Sequence, residues 1–357
     1  MTIQITISHP DGSNEQLLMQ SPARLLENRR ASGMVARDGD AVFVKAFFQP
    51  TRARFHAARE ARRTRQLRRH GLPAPQILDE LEGTIVGPNL PETKAQFVVF
   101  EQLSPGTTLA DTLASTETPR KVLQDAWTLM CDLESSGFIH SDPHLSNFIY
   151  CNEELYLVDC GAIRRPIIPT RWLRKPNTLP IFLAQFDPQH NEDLKSISGY
   201  DWRIVEAKRV NARDSFMRKM LRDCSRIQAI DDLLITRHLN NDELMGLIQG
   251  NTSAADGIRQ FTFSDSATAH RAWSTAHYLG RRIANISIPA ALKGDTIFWI
   301  EPSKCQDASP TMEVDEKSLA RRLADFRVST SPEEIRDMAM ASPDGPRLDR
   351  CDQLRFD

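Results

Sequence analysis

A short stretch of the sequence carries the side chains that phosphoryl transfer requires. Two acids, Asp142 and Asp159, flank the amide Asn147 at spacings of five and twelve residues. In phosphoryl transfer, one carboxylate orients or deprotonates the acceptor hydroxyl, while a second carboxylate and an amide oxygen hold Mg²⁺ against the nucleotide phosphates. We therefore expect Asp142 to be catalytic, and Asn147 and Asp159 to bind the metal. His140 is expected to support this loop, and Gly161 to let the backbone turn away sharply from the metal.

A cation and a carboxylate stand upstream in the order that such a site needs. The chemistry requires a cation on the α- and β-phosphates and a carboxylate that holds this cation. Lys45 lies in residues 41–48, which are rich in β-branched and aromatic types and follow a turn signal, so that a strand is predicted. Glu60 is the only acid in the arginine-rich stretch 52–70, which lacks Gly and Pro and predicts a helix. We expect Lys45 and Glu60 to pair and to belong to the catalytic residues.

The remaining elements are predicted to place these residues in two parts. A strand at 97–100 leads into a connector with Pro105 and Gly106, where we expect a boundary at about residue 103. A helix that begins near Pro119 and ends at Ser136 and Gly137 follows, and then a loop and a short hairpin. The predicted divisions are 1–103, 104–240, 241–314 and a helical or poorly ordered tail, 315–357.

Composition excludes several classes of protein. The 45 Lys and Arg residues nearly balance the 47 Asp and Glu residues, and the basic stretches lack interleaved aromatic residues, so we expect no nucleic-acid partner. The six cysteines include no C-x-x-C pair, which argues against a zinc site. No run approaches the roughly 18 apolar residues of a membrane span, and the first residues alternate like a strand. We expect a cytoplasmic protein.

Residues 33–165 resemble the protein-kinase-like fold, and specifically the bacterial lipopolysaccharide kinases, which phosphorylate sugars of the inner core. The residues that carry the resemblance are Val44 and Lys45, Glu60, residues 72–75, His140 to Asp142, Asn147, and Asp159 to Arg165. The resemblance implies an α+β, two-lobed fold, a lobe division into 1–103 and 104–240, and ATP and Mg²⁺ as cofactors. It also implies a lipid-linked saccharide, the lipopolysaccharide core, as acceptor, and peripheral contact with the cytoplasmic face of the inner membrane.

The sequence departs from the kinase pattern at the phosphate-binding loop. The motif G-x-G-x-x-G is absent, and residues 31–35, with the single Gly33, are the nearest candidate for a loop over the phosphates. We assign Gly33 to nucleotide binding together with Lys45 and with Glu101 and Leu103 of the connector. Cys160 replaces the phenylalanine of Asp-Phe-Gly and is expected to be a small buried residue rather than a reactive thiol.

A second resemblance concerns residues 241–314, which are similar to an additional kinase N-lobe of tandem members. No lysine stands in the strand-like stretch 260–263, and no later His-x-Asp follows. The expectation is a degenerate, non-catalytic half-domain.

Two alternatives to the lipopolysaccharide kinase remain open. One is a kinase with another acceptor, because the loop from His140 to Asn147 is also similar to the atypical kinases of ubiquinone biosynthesis and to aminoglycoside kinases. The other is a nucleotide-binding pseudokinase that serves as a scaffold, motivated by the missing glycine loop.

The basic side chains allow two interpretations. The arginines of 52–70 most simply form a solvated helix face, and the alternative is contact with a phosphorylated glycolipid or anionic lipid headgroups. Arg164 and the basic residues after it are expected nearer the acceptor. These residues are Arg165, Arg171, Arg174 and Lys175.

Overall fold

The structure is a computed structural model in which the chain forms two compact units. The units are Met1–Phe186 with His190–Val205, and Asp187–Gln189 with Glu206–Asp357. The described residues are 2–8, 13–20, 24–26, 29–87, 90–116, 119–165, 178–224, 226–240, 242–250, 258–280, 288–300, 328–329, 339–340, 347–348 and 355–356. The mixture of helices and strands confirms the α+β class.

A seven-stranded antiparallel sheet begins the first unit. Its strands are Thr2–Ser8 (β1), Asn14–Gln20 (β2), Arg24–Leu26 (β3), Arg30–Arg37 (β4), Asp40–Phe47 (β5), Ile77–Gly87 (β6) and Leu90–Glu101 (β7). The order in the sheet is β2-β1-β6-β7-β5-β4-β3. Met19 of β2 also lies opposite Val35 of β4, so the sheet curls until distant strands meet. The alternation expected at the start of the chain is confirmed, because Ile3, Ile5 and Ile7 are fully buried.

Strand β5 presents two different faces, and this places the lysine. Val44 and Ala46 belong to the apolar core inside the curled sheet. Phe43 and Phe47 pack instead with apolar residues of the following helix. Because successive side chains of a strand point to opposite faces, Lys45 lies on the helix side.

The predicted helix is confirmed as Ala53–Arg69 (α1). It ends before Gly71, whose φ of +72° lies in the region that favours glycine. Its buried residues recur at spacings of three and four, as in an amphipathic helix. They are Ala57, Glu60, Ala61, Thr64 and Leu67. Glu60 is therefore on the face that packs against the protein, whereas most arginines of α1 point outward.

The rest of the first unit is mainly helical and includes the predicted loop and hairpin. Its helices are Leu109–Ser115 (α2), Pro119–Ser135 (α3), Thr178–Leu183 (α4) and Asn191–Ser198 (α5). Its strands are Gly106–Thr108 (β8), Ile139–His140 (β9), Phe148–Cys151 (β10), Glu154–Leu157 (β11) and Ile163–Arg164 (β12). Strands β10 and β11 form the predicted hairpin, and the apolar stripe of α3 is buried in the same core as Leu67.

The second unit has its own sheet and core. Helix α6 (Trp202–Lys219) carries the chain into it. Its elements are Ile227–Ile230 (β13), Leu233–Thr236 (β14), Asp242–Ile248 (α7), Ile258–Thr262 (β15), Ser266–Leu279 (α8), Ala291–Lys293 (β16) and Thr296–Ile300 (β17). The five strands form an antiparallel sheet with the order β13-β14-β16-β17-β15. Trp273 of α8 is fully buried, and its Nε1 donates to the carbonyl of Met220 at 2.9 Å.

The last part of the chain contributes two short strand pairs. Val328–Ser329 (β18) pairs with Arg355–Phe356 (β21), and Ala339–Met340 (β19) with Arg347–Leu348 (β20). The predicted linker at 303–314 and most of the predicted tail, 315–357, lie outside the described residues. No helix in the described ranges combines the length and the apolar character that crossing a bilayer would take.

Replacement of Leu67 tests whether α1 is anchored as described. Leu67 is 0% exposed, so Leu67→Ala leaves a cavity and is expected to lower the free energy of unfolding by about 2–5 kcal/mol. Leu18→Ala is the control, because Leu18 is 55% exposed and a surface change is expected to stay within about 0.5 kcal/mol. Urea unfolding measures both, and equal effects of the two changes would contradict the described packing.

Candidate active site

The centre of the candidate site is a buried ion pair between β5 and α1. The Lys45 Nζ donates to the Glu60 Oε1 at 2.5 Å, and Glu60 is 3% exposed. Burial alone would lower the pKa of Lys45, but the carboxylates of Glu60 and Asp159 outweigh it and raise this pKa above its ordinary value. The lysine therefore remains a cation. The structure brings together the two residues that the sequence analysis expected to pair.

The second oxygen of Glu60 fixes the turn that follows Asp159. The Gly161 backbone N–H donates to the Glu60 Oε2 at 2.7 Å. A Cβ at position 161 would lie 2.5 Å from the same oxygen, so the Glu60 carboxylate would have to shift to admit it. Position 161 therefore needs glycine because of this close approach, and its φ is not in the positive range that favours glycine.

Asp159 lies where two cations meet. Its Oδ1 is 3.2 Å from the Lys45 Nζ and 3.3 Å from the Arg30 Nη1. Asp159 has a left-handed φ of 56° and begins a one-turn 3₁₀ helix of residues 160–162. Asp tolerates this conformation better than most residues do. The turn and the two cations together hold the carboxylate toward β5.

Cys160 is buried beside the acid, as expected from the sequence. Burial and the nearby Glu60 carboxylate raise the pKa of its thiol to about 12. The thiol stays protonated, and its Sγ donates to the Leu157 carbonyl at 3.4 Å.

The loop with Asp142 is tied to the segment that follows Asp159. Strands β9 and β12 pair with His140 opposite Ile163. The backbone N–H and the hydroxyl of Ser141 both donate to the Ala162 carbonyl, at 3.1 Å and 2.6 Å. These bonds make the Asp142 loop and the Asp159 turn one connected structure.

His140 supports the loop in a neutral form. Its Nδ1 accepts the Asp142 backbone N–H at 3.2 Å, so the ring proton is assigned to the Nε2. Burial lowers the pKa of His140 to about 4, although the carboxylates of Asp142 and Asp159 act in the opposite direction. These contacts agree with the supporting role expected from the sequence.

Asn147 links the loop to the end of the hairpin. Its Nδ2 donates to the Asp142 carbonyl at 2.8 Å, and its own carbonyl accepts the Val158 N–H at 2.9 Å. The amide nitrogen is thus used by the fold, whereas the Oδ1 is the atom suited to a hard cation. Among the described residues, no group of three or more His, Cys, Asp and Glu side chains could hold a metal ion.

A cavity of about 460 Å³, here called the connector cavity, lies against these residues. Its charged lining includes Arg30, Lys45, Glu60 and Asp159, and Asn147 lines it as well. Its apolar lining includes Met34, Phe43, Phe100, Ile149 and Val158. Residues 101–104 of the connector line it as well, and they include Glu101 and Leu103. The Glu101 Oε1 also accepts the Gln76 N–H at 2.6 Å.

The expected position of Gly33 is wrong. Residues 31–35 form the middle of strand β4, with Gly33 opposite Val44 of β5, and not a loop. Gly33 is buried on the same side of the strand as Ala31 and Val35, which pack inside the curled sheet. The alternating neighbours Ser32 and Met34 line the connector cavity in its place.

A second cavity, of about 450 Å³, contains Asp142 and is here called the arginine cavity. Asp159, Glu60 and Arg30 line both cavities, whereas Asp142 lines only this one. Its other basic residues are Arg29, His56, Arg59 and Arg164. Of the basic residues expected on the acceptor side, Arg171, Arg174 and Lys175 lie outside the described residues.

The sequence analysis missed Arg30 and did not single out Arg59. Arg30 reaches Asp159 only because β4 pairs with β5, and this pairing brings distant residues together. Arg59 immediately precedes Glu60 on the helix. Because Glu60 was expected in the site, its neighbour Arg59 could have been expected at the edge of the site.

Comparisons with known proteins returned few similar sequences. No family model matches the chain. The curated EKC/KEOPS complex subunit BUD32 of Encephalitozoon cuniculi (strain GB-M1) is 30% identical over 103 residues, which are 29% of this chain and 45% of that protein. This chain thus matches about half of the length of that relative.

A structure of WaaP in complex with acyl carrier protein is 19% identical and covers 56% of this chain and 88% of that chain, with a TM-score of 0.36.

A methyl group at position 161 tests the contact between Glu60 and the Asp159 turn. Gly161→Ala is expected to lower the free energy of unfolding by about 1–3 kcal/mol, because the new Cβ overlaps the Glu60 Oε2. The control is the same change in a Glu60→Ala background, where the overlapping carboxylate is absent and the cost is expected to be smaller. Urea unfolding of the four proteins gives the coupling, and equal costs in both backgrounds would contradict the contact.

The lowered pKa of His140 predicts that the stability of the protein depends on pH. Its folded pKa of about 4 lies below the ordinary 6.5, so between these values the unfolded chain binds more protons than the folded protein. The free energy of unfolding is therefore expected to fall by about 3 kcal/mol as the pH drops from 6.5 to 4. Urea unfolding across this range should show that His140→Gln loses this contribution and that His270→Gln, at an exposed position, keeps it. A parallel pH dependence in all three proteins would contradict the assignment.

Proposed function

We propose that this protein is an ATP- and Mg²⁺-dependent kinase that phosphorylates a sugar hydroxyl of the lipopolysaccharide core. The observation that carries the proposal is the network in which Lys45 contacts both Glu60 and Asp159. Bonds between the backbones at Ser141 and Ala162 join this network to the loop of Asp142. The proposal includes a two-lobed, protein-kinase-like fold for the first unit.

The connector cavity suits a nucleotide. Its apolar side chains, among them Phe43, Phe100 and Ile149, offer a slot for a purine, and residues 101–104 offer backbone groups at its edge. Lys45, held as a cation, then binds the α- and β-phosphates. Glu60 positions Lys45 and does not itself touch the nucleotide.

Asn147 and Asp159 are the residues that would hold Mg²⁺. The donor set, one carboxylate and one amide oxygen, fits a hard cation that takes its other ligands from phosphate and water. A bound Mg²⁺ neutralises the negative charge that develops on the phosphates during transfer.

Asp142 is the residue proposed to act on the acceptor hydroxyl. The acceptor oxygen forms a bond to the γ-phosphorus, the bond from that phosphorus to the oxygen shared with the β-phosphate breaks, and ADP leaves. Asp142 orients the hydroxyl and accepts its proton. His140 and Asn147 form hydrogen bonds to the backbone of Asp142, so contacts that do not depend on substrate position this backbone.

The acceptor and the place of action follow from the resemblance carried by residues 33–165. A lipid-linked saccharide requires the enzyme to work at a membrane surface, so we assign the protein to the cytoplasmic face of the inner membrane as a peripheral protein. A kinase with another small-molecule or protein acceptor is the nearest alternative.

A pseudokinase scaffold is the second candidate, and one contact favours it. Arg30 occupies a side of the Asp159 carboxylate that a metal ion would need, and β4 carries no loop of glycines. The second unit, with its sheet of five strands and its buried helix α8, would then be a docking module rather than a degenerate half-domain.

The variant Asp142→Asn distinguishes between the kinase and the pseudokinase scaffold. The variant is expected to lose at least a hundredfold in transfer of label from γ-labelled ATP to dephosphorylated lipopolysaccharide core, because general-base catalysis contributes roughly 10²–10⁴-fold. Its affinity for ATP with Mg²⁺, measured by thermal shift, is expected to be unchanged, since Asp142 does not line the connector cavity. Asp132→Asn, at an exposed position of α3, is the matched control and should transfer normally.

The outcomes of this test discriminate between the candidates. Transfer by the unmodified protein to another acceptor but not to the core would replace the acceptor and keep the kinase. Binding of ATP without transfer to any acceptor would support the scaffold, and unchanged turnover of Asp142→Asn would overturn the role of Asp142.

A further inference from the structure

The arginine cavity is the place where the acceptor must approach. It shares Asp159 with the connector cavity and alone contains Asp142. If the nucleotide fills the connector cavity, as the proposed function requires, the acceptor hydroxyl reaches Asp142 from the arginine cavity. Whatever else the acceptor carries then lies against the remaining walls of that cavity.

These walls hold more positive charge than the carboxylates can neutralise. Glu60 and Asp159 are already engaged by Lys45, which leaves Asp142 as the one carboxylate of the cavity that no described cation contacts. Within the described part of the chain, no carboxylate forms an ion pair with three of the basic side chains that line the cavity. These side chains are Arg29, Arg59 and Arg164.

Arg59 differs from exposed arginines of α1 such as Arg54, Arg62 and Arg65. Arg59 and Arg63 are both half-buried, and the Nε of each is enclosed without a hydrogen-bond partner in the structure, but only Arg59 of the two lines the arginine cavity. The Arg59 guanidinium lies 5.7 Å from the centre of the Phe55 ring, which limits the directions that it can take. A solvated helix face explains the exposed arginines and does not explain an enclosed one.

The pKa of His56 also reflects the positive charge of the arginines around it. Partial burial and the charges of Arg59, Arg52 and Arg30 lower the pKa of His56 below its ordinary value. The ring is therefore mostly neutral near pH 7 and leaves the arginines as the charged groups of this wall. An anion placed among them would relieve their mutual repulsion.

We propose that the arginine cavity binds an anionic group, a phosphate or a carboxylate, which the acceptor carries beside the hydroxyl that is phosphorylated. This inference rests on the proposed function and adds to it the charge of the acceptor and the residues that recognise it. Arg59 is the central ligand, because a guanidinium can hold a phosphate or a carboxylate through two parallel hydrogen bonds. Arg29 and Arg164 line the same cavity.

The kinetic test compares Arg59→Gln and Arg59→Lys with the control Arg54→Gln. Arg54 is exposed and does not line the cavity, so its change removes the same charge from the same helix. For phosphoryl transfer to lipopolysaccharide core oligosaccharide, Arg59→Gln is expected to raise the KM of the acceptor about tenfold to a hundredfold. Arg59→Lys should show a smaller rise, and the KM of ATP should not change in any variant.

Modified acceptors identify the anion. The same measurement with phosphatase-treated core and with carboxyl-reduced core shows which group Arg59 contacts, because the effect of Arg59→Gln disappears when its partner is missing. An unchanged acceptor KM in Arg59→Gln, with normal transfer by all three variants, would overturn the inference and leave the proposed function intact.

A binding measurement does not depend on catalysis. Phenylglyoxal modifies arginines, and mass spectrometry reports the rate at each residue with and without the native core oligosaccharide. Protection of Arg59 is expected, whereas Arg203, with its side chain 96% exposed, should be modified at the same rate in both samples. Protection in a protein that transfers no phosphoryl group would support the anion site and overturn the kinase proposal. Lack of protection would overturn the anion site.

Discussion

The structure around the site depends on the burial of one carboxylate, that of Glu60. A buried ion pair contributes little net stability, because removal of two charges from water costs about as much as their attraction returns. Removal of one partner, however, leaves a buried charge alone and costs about 3–5 kcal/mol. The pair of Glu60 with Lys45 therefore acts as a constraint rather than as a source of stability. It requires β5 and α1 to lie at one distance and in one register.

Several parts of this arrangement could be predicted from the sequence because their signals are local. The strand that carries Lys45 and the helix that carries Glu60 follow from residue types within a dozen positions, and both predictions are confirmed. The hairpin between Asn147 and Asp159 was visible for the same reason. The roles of these residues in catalysis and metal binding remain proposals.

Other parts could not be predicted because they arise from pairing between distant segments. The contact of Arg30 with Asp159 spans 129 positions and depends on the register of β4 against β5. The expectation that Gly33 lies in a phosphate-binding loop was wrong for a different reason. Arg30, Ser32 and Met34 alternate with small or apolar residues, and this alternation indicates a strand. It is a stronger signal than the single glycine, which by itself does not indicate a loop.

The two oxygens of Glu60 make helix α1 and the turn after Asp159 dependent on each other. One oxygen binds the lysine of the sheet, and the other binds the backbone N–H of Gly161. A shift of α1 away from the sheet would break both bonds at once, and a changed backbone at residues 159–161 would break the bond between Gly161 and Glu60. The carboxylate therefore couples three segments of the chain, so that their rearrangement is cooperative. A molecule that moved α1 by the length of one hydrogen bond would change the geometry of Lys45 and Asp159 together, without touching either.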